Sequence, residues 1–323
     1  MSFRAPFWLA HGHAQTIYAY YFAPREQVRF RRERLTTPDG DFIDLDWLDS
    51  GQQAPLVILF HGLEGNSAGH YAQSLMAAVQ KKHWRGVVVH FRGCSGEPNR
   101  LARAYHSGDS AEINWVLHAL KQRFTDLPLF AVGVSLGGNA LLKWLGEQGD
   151  SARALLAGAA AVSAPMDLPA AGQALDRGFN KLSYTRHFLI TLRSKALQKV
   201  AQHNLAIDSR ALRNARTLHR FDDLFTAPVH GFRNADDYWQ RASSKPLLRH
   251  IAVTTLVVNA LDDPFIPAAS LPEKNTVSSA VTLEYPAHGG HVGFVSGSFP
   301  GHLRWLPERL LTFAADCFKT HKV

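Results

Sequence analysis

The sequence predicts an α/β protein built on a mostly parallel sheet with helices on both faces. Short apolar runs alternate with longer amphipathic stretches, the pattern of strands buried on both sides and joined by crossover helices. An alternating hairpin precedes the first of those runs. One run, Leu129–Val134, passes at once into Gly133-Val134-Ser135-Leu136-Gly137, where a buried strand turns into a helix through Gly-x-Ser-x-Gly.

In chain order, Arg29–Thr36 and Phe42–Leu48 flank the turn residues Thr37-Pro38-Asp39-Gly40 and read as an antiparallel hairpin. Leu56–Phe60, Val87–Phe91, Leu129–Val134, Ala154–Val162, Thr254–Asn259 and Val281–Tyr285 are the candidate buried strands. His70–Lys82, Asp109–Phe124 and Leu136–Gly146 carry helical periodicity, and Leu303–Phe318 reads as a closing helix. Roughly ninety residues separate the strand ending near Ser163 from the one starting at Thr254, far beyond an ordinary crossover. This interval holds the helix-like segments Tyr184–Ala201 and Ile207–Thr217 and a run of aromatics that includes Phe179, Tyr184, Phe188, Phe221 and Trp239. It predicts a helical cap at about 165–250, inserted in a single domain spanning 1–323. Its aromatics either line a pocket or make the cap's own small core.

Bulk properties narrow the class. A chain of 323 residues, 46% of them apolar, has material for a large core. Its two cysteines, Cys94 and Cys317, make no disulfide framework and suit a reducing compartment. The first residues, MSFRAPFWLAHGHAQTIYAYYF, are broken by Arg4, Pro6 and histidines and lack a signal-peptide core. No apolar run approaches the roughly 18 residues that span a bilayer. A cytoplasmic protein is expected. The net charge of +8 sits in one place: Ala171–His250 holds fourteen Lys/Arg against six Asp/Glu, and the remainder is balanced. That excess reads either as a solvated helical face or as attraction to anionic membrane surfaces or acidic substrates. No nucleic-acid-binding motif accompanies it, so nucleic acid is not an expected partner.

The chemistry rests on the Gly-x-Ser-x-Gly turn. It lifts a serine hydroxyl above the sheet, and the helix behind it points its N-terminus at the site and favours developing negative charge. The pattern recurs at Gly65-Asn66-Ser67-Ala68-Gly69, but Ser67 lies in a loop well past its strand. Ser135 is therefore the candidate nucleophile. A serine needs a base, and that base needs an acid to fix its tautomer. In this strand–turn–helix context the partners follow in the order serine, acid, histidine. Thr254–Asn259 runs into Asp262 and Asp263, and either aspartate is well placed to be the acid. After Val281–Tyr285 come His288 and, behind paired glycines, His291. His291 is the candidate base, and His288, nearer the strand end, is its rival. The oxyanion donors are the backbone N–H groups of Leu136, next to the serine, and of Leu63 in His61-Gly62-Leu63-Glu64-Gly65. Cys94 has no such turn around it. His11-Gly12-His13 lacks a third ligand at a telling spacing. Neither a metal nor a cofactor is called for.

These motifs resemble the AB hydrolase 4 family of the α/β-hydrolase superfamily, in its YheT-like esterase branch. The resemblance rests on His61–Gly65, on Gly137-Gly138-Asn139, and on Phe91–Arg100. Tyr105-His106-Ser107-Gly108, Gly289–Phe294 and the N-terminal Trp8–Thr16 extend it over nearly the whole chain. It implies the α/β-hydrolase fold, a Ser–Asp–His system in which Asp263, the aspartate followed by x-x-x-Pro as is usual in that superfamily, is preferred as the acid, and hydrolysis of a small-molecule or lipid carboxylic ester. The rival readings are a lipase or phospholipase, a thioesterase, an acyltransferase, or a non-catalytic binding protein that keeps the scaffold.

Overall fold

A computed structural model describes residues 2–48 and 53–320. Eight strands form one sheet in the order β1-β2-β4-β3-β5-β6-β7-β8. They are β1 (Arg31–Thr36), β2 (Phe42–Leu48), β3 (Leu56–Phe60), β4 (Arg85–Val89), β5 (Leu129–Val134), β6 (Gly158–Val162), β7 (Thr255–Val258) and β8 (Val281–Glu284). β1 and β2 pair antiparallel with each other, and β2 antiparallel with β4. All other pairs are parallel. The edge strand β1 (Arg-Arg-Glu-Arg-Leu-Thr) is charged and largely exposed, which blunts edge-to-edge association.

Side-chain alternation splits the core into two layers. On β3, Leu56, Ile58 and Phe60 join one buried cluster and Val57 and Leu59 the other. The first layer is covered by α3 (Ser110–Arg123) and α4 (Leu136–Gln148), through residues such as Val116 and Leu141. The second is covered by α2 (His70–Lys81) and the closing helix Trp305–Thr320, through Met76 and Leu311. Phe60 pairs with Gly133, Val134 with Val162, and Val162 with Val258. The C-terminal ends of β3, β5, β6 and β7 therefore level off along one edge, where parallel α/β sheets bind their ligands.

Several boundaries move from their expected positions. β4 starts at Arg85 rather than Val87, since Arg85 already pairs with Leu56 of β3, and it ends before Phe91, as the chain turns at Arg92-Gly93. The alanine-rich run expected as Ala154–Val162 is a strand only from Gly158; alanines carry no period that separates strand from turn. Ile207–Thr217 shrinks to one short helix, Ser209–Arg213, capped by Asp208, whose carboxylate accepts from Arg210 and Ala211 N–H. A helix that periodicity does not signal, α1 (Gly12–Tyr21), lies near the start, with the His11 ring accepting from His13 N–H at its cap.

Between β6 and β7 the chain is helical. α5 (Leu168–Leu175) is followed by a turn at Gly178–Asn180 and a π-type turn at Lys181–Thr185, which continue into the long helix α6 (Arg186–His203). α7 (Ala235–Ala242) returns the chain to the sheet. These helices bury a separate cluster that includes Leu189, Phe221, Phe225 and Trp239. Asn139 in α4 ties that layer to the body. Its amide donates to Ala242 O and Ser107 O, both at 2.8 Å, and its carbonyl accepts from Ser244 N–H at 3.0 Å. Asn139 is fully buried, so its removal strands three backbone groups without water. Asn139→Ala is expected to cost about 3 kcal/mol of stability, read from urea unfolding midpoints at unchanged slope.

Candidate active site

The loops at the level edge of the sheet bring three distant side chains together. Ser135 follows β5 directly, with φ 52° and ψ −120°, a region that L residues occupy only when the surroundings enforce it. The enforcement is steric. A Cβ at Gly133 would stand 2.5 Å from Gly137 O, and one at Gly137 would stand 2.4 Å from Phe60 O. Gly133 thus admits the following helix, and Gly137 admits the end of β3. Asp263 stands five residues beyond β7, and His291 lies on the loop after β8. His291 Nδ1 is 2.9 Å from Asp263 Oδ2, and His291 Nε2 is 2.9 Å from Ser135 Oγ. With Nδ1–H donating to the carboxylate, Nε2 is left to accept the serine proton. Phe265 stacks on the His291 ring at 4.0 Å between centroids, holding its plane.

The alternatives fall elsewhere. Asp262 accepts from Gly290 N–H at 2.9 Å and stands 3.3 Å from His288 Nδ1; this pair braces the loop from outside. Ser67 Oγ donates to Asp46, which also meets His90 Nε2 at 2.9 Å and Arg32. Ser67 is therefore part of a buried structural network. The Cys94 thiol is buried, which pushes its pKa up to about 12 and leaves it inert at neutral pH. Among the described residues no group of three His, Cys, Asp or Glu has the arrangement of a metal site.

The β3 loop runs beside the serine. Gly62 approaches so closely that a Cβ there would lie 3.1 Å from Ser135 Cβ. Tyrosine hydroxyls hold the residues on either side of Leu63. Gly62 N–H donates to Tyr71 Oη at 3.0 Å and Glu64 N–H to Tyr105 Oη at 2.8 Å. Leu63 lies between these two anchored residues, and Leu136 opens α4 directly after Ser135. His61 is the hinge of this loop. Its Nδ1–H donates to Gly62 O at 2.8 Å, and its Nε2 accepts from Phe91 N–H at 3.1 Å, an arrangement that only the neutral ring satisfies.

Spacing did not signal the support for His291. α1 packs against its loop, with Thr16 Oγ1 accepting from His291 N–H at 2.8 Å. Gln15 accepts from Val295 N–H at 2.8 Å and donates to Val295 O at 3.1 Å. The contact is close enough that a Cβ on Gly290 would meet Gly12 O at 2.3 Å. From the other side, His70 Nε2–H donates to Val292 O at 3.0 Å. The one available signal was the motif Trp8–Thr16, which carried the resemblance without a role.

Above Ser135 opens a cavity of about 1590 Å³ between the sheet edge and the cap helices, reached by both Ser135 and His291. Leu168, Leu175, Tyr184, Phe188, Phe221 and Phe225 face it. The cap aromatics therefore serve both expected purposes, since Phe221 and Phe225 also belong to the cap's own core. Phe179 does neither and stands 55% exposed. An ion pair joins cap to body at the cavity wall: Lys195 Nζ of α6 lies 2.8 Å from Glu64.

This fold and this edge-of-sheet arrangement define an α/β-hydrolase, and the chain belongs to that family: the family model for the alpha/beta hydrolase fold matches residues 55–298. Among curated proteins it is 41% identical to the "Putative esterase YheT" of Escherichia coli, over 92% of this chain and 88% of that protein. It is 30% identical to "Phospholipase ABHD3" of Mus musculus, over 91% of this chain and 73% of that protein. In fold it is similar to the Pyrococcus furiosus esterase Pf2001, with a TM-score of 0.57 and 15% identity over 90% of this chain and 91% of that one.

Burial drives the pKa of His61 down to about 3 from its ordinary 6.5. Between those values the unfolded chain takes up a proton that the folded chain refuses. Stability is therefore full above about pH 6.5, falls as pH drops below it, and levels off near 3. Thermal midpoints measured from pH 7 to 4 are expected to fall in the native protein and to fall less steeply in His61→Asn.

Proposed function

We propose that this protein is a serine hydrolase that cleaves carboxylic esters through an acyl-enzyme. The observation that carries the reading is the unbroken Ser135–His291–Asp263 chain, with 2.9 Å at each link, at the floor of a cavity large enough for substrate. Ser135 Oγ attacks the ester carbonyl carbon while His291 Nε2 takes the hydroxyl proton. Asp263, fully buried in its side chain, stabilises the imidazolium that forms. The oxyanion is held by the N–H groups of Leu63 and Leu136, aided by the N-terminus of α4. Collapse expels the alcohol, which leaves with the proton from His291. Water then gives its proton to His291, attacks the acyl carbon, and the acid departs as Ser135 regains its hydrogen. None of these steps needs a cofactor or a metal.

A cavity of about 1590 Å³ exceeds the roughly 300–1,000 Å³ of ordinary small-molecule sites. With its aromatic and aliphatic walls, it favours esters with long acyl chains, and the phospholipase name of the mouse relative points the same way. A lipid ester is therefore the preferred substrate class. The closed hydrogen-bond chain also argues against a scaffold retained only for binding.

Ser135→Ala is expected to lower turnover of p-nitrophenyl acyl esters by at least about 10⁴-fold and to abolish labelling by a fluorophosphonate probe, with an unchanged melting curve. Undiminished turnover in that variant would overturn the reading. Asp263→Asn is expected to cost about 10³–10⁴-fold in kcat, whereas Asp262→Asn stays within about threefold; equal effects of the two would move the acid's role away from Asp263.

A further inference from the structure

Two segments frame the place where the cavity reaches the surface. Tyr20 and Tyr21, at the end of α1, and His187 and Thr191, on α6, both line the cavity and stand exposed. Around that opening the protein presents an unusual concentration of bare apolar side chains. Phe22 is 66% exposed, Leu182 74%, Ile190 58% and Phe299 76%. Ring contacts link the N-terminal part of this rim without a gap. Phe299 touches Trp8, Trp8 touches Tyr18, Tyr18 touches Phe22, Phe22 touches Tyr21, Tyr21 touches Tyr20, and Tyr20 reaches His187 on the cap. On the cap side, Phe179, Leu182, Arg186 and Ile190 recur at helical spacing on one exposed stripe of the helix that runs into α6.

The charge carried by these two segments has one sign, while across the cavity mouth the exposed Glu97 is held by Arg34 at 3.0 Å. Residues 1–25 and 177–207 contain eight Lys/Arg and no Asp or Glu. Three of the eight are held by the protein: Lys195 pairs with Glu64, Lys199 donates to Asn99 O at 3.3 Å, and Arg193 donates to Leu189 O at 2.8 Å and Arg213 O at 2.9 Å. Arg4, Arg25, Arg177 and Arg186 are exposed. The nearest acid in the chain beyond α1, Glu26, is held by Lys81 at 2.6 Å. Exposed aromatic and aliphatic side chains beside exposed arginines make the surface that lies in a lipid headgroup layer, apolar groups entering the acyl boundary and cations meeting anionic phosphates. Among the described residues no helix is long and apolar enough to cross a membrane.

We propose that this rim docks the protein peripherally on an anionic phospholipid surface, with the cavity opening facing the lipid. The docking stands apart from the ester chemistry; only the benefit to catalysis, a lipid ester entering the cavity without crossing water, rests on the proposed function. A second copy of the chain is the other occupant an exposed apolar rim admits, and the experiment separates the two.

The test is flotation of the whole protein with vesicles of phosphatidylcholine alone and of equal parts phosphatidylcholine and phosphatidylglycerol. The native protein and Ser135→Ala are both expected to float with the mixed vesicles, to stay behind with phosphatidylcholine alone, and to be released by high salt. Leu182→Ser combined with Ile190→Ser is expected to reduce the bound fraction by at least about tenfold. Arg186→Glu is expected to weaken binding to the mixed vesicles while p-nitrophenyl acetate turnover stays unchanged. Should the double variant lose that turnover through misfolding, Phe22→Ser with Phe299→Ser tests the opposite rim. No binding to mixed vesicles, full binding by both double variants, or a lipid-free dimer that the same variants dissociate would overturn the proposal. Vesicle binding without hydrolysis of vesicle-borne esters would leave docking intact and count against the ester reading.

Discussion

Ser135 sits at φ 52° because two polypeptide segments pass closer to it than any Cβ allows. α4 leaves β5 so abruptly that Gly133 touches the helix, and Gly137 lies against the last carbonyls of β3. The same crowding brings Gly62 close to Ser135 and so sets the loop after β3 at the serine's side. The strained serine, the helix N-terminus and the adjacent glycine loop thus share one steric origin. A methyl group at any of these glycines would have to move backbone rather than a flexible side-chain end.

Local patterns made much of this legible. The parallel sheet was readable because strands buried on both faces are continuous apolar runs, and the hairpin because its turn residues admit few other conformations. The Ser135 turn, the Asp262-Asp263 pair and the His288/His291 loop stood out because each follows a strand end. Choosing within the pairs took coordinates: Asp262 and Asp263 are neighbours, yet one points to the imidazole and the other caps Gly290. Where tertiary packing overrode local signal, the reading failed. The Ala154–Val162 run has no period to separate strand from turn, and the π-type turn at Lys181–Thr185 has no sequence signature. The role of α1 was invisible for another reason. Thr16 and Gln15 act on a loop some 275 residues away in sequence, and no spacing rule reaches that far.

Polar links at buried positions join the cap to the body, beside the packing of Tyr184 and Phe188 on Phe265. Asn139 receives Ser244 and holds Ala242, Tyr238 Oη accepts from Ser107 N–H at 2.9 Å, and Lys199 reaches carbonyls beyond Arg92. Between these ties lies the open volume over Ser135. α6 is tied to the body along its length, by Phe188 against Phe265 near its start and by Lys199 near its end. Between them the ion pair Lys195–Glu64 joins α6 to the loop that carries Leu63.

The brace formed by α1 has a bearing on where this molecule ends as a working unit. The recognisable hydrolase pattern begins at residue 55, after both α1 and the hairpin. A fragment trimmed to that boundary would retain Ser135, Asp263 and His291, every cap helix and the parallel strands. It would lack the hydroxyl that anchors the His291 backbone and the amide that clasps Val295. The imidazole would then ride on a glycine-rich segment with one wall missing. The unit that holds these three side chains together is therefore longer than the fold that houses it, and its earliest residues brace a loop at the far end of the chain.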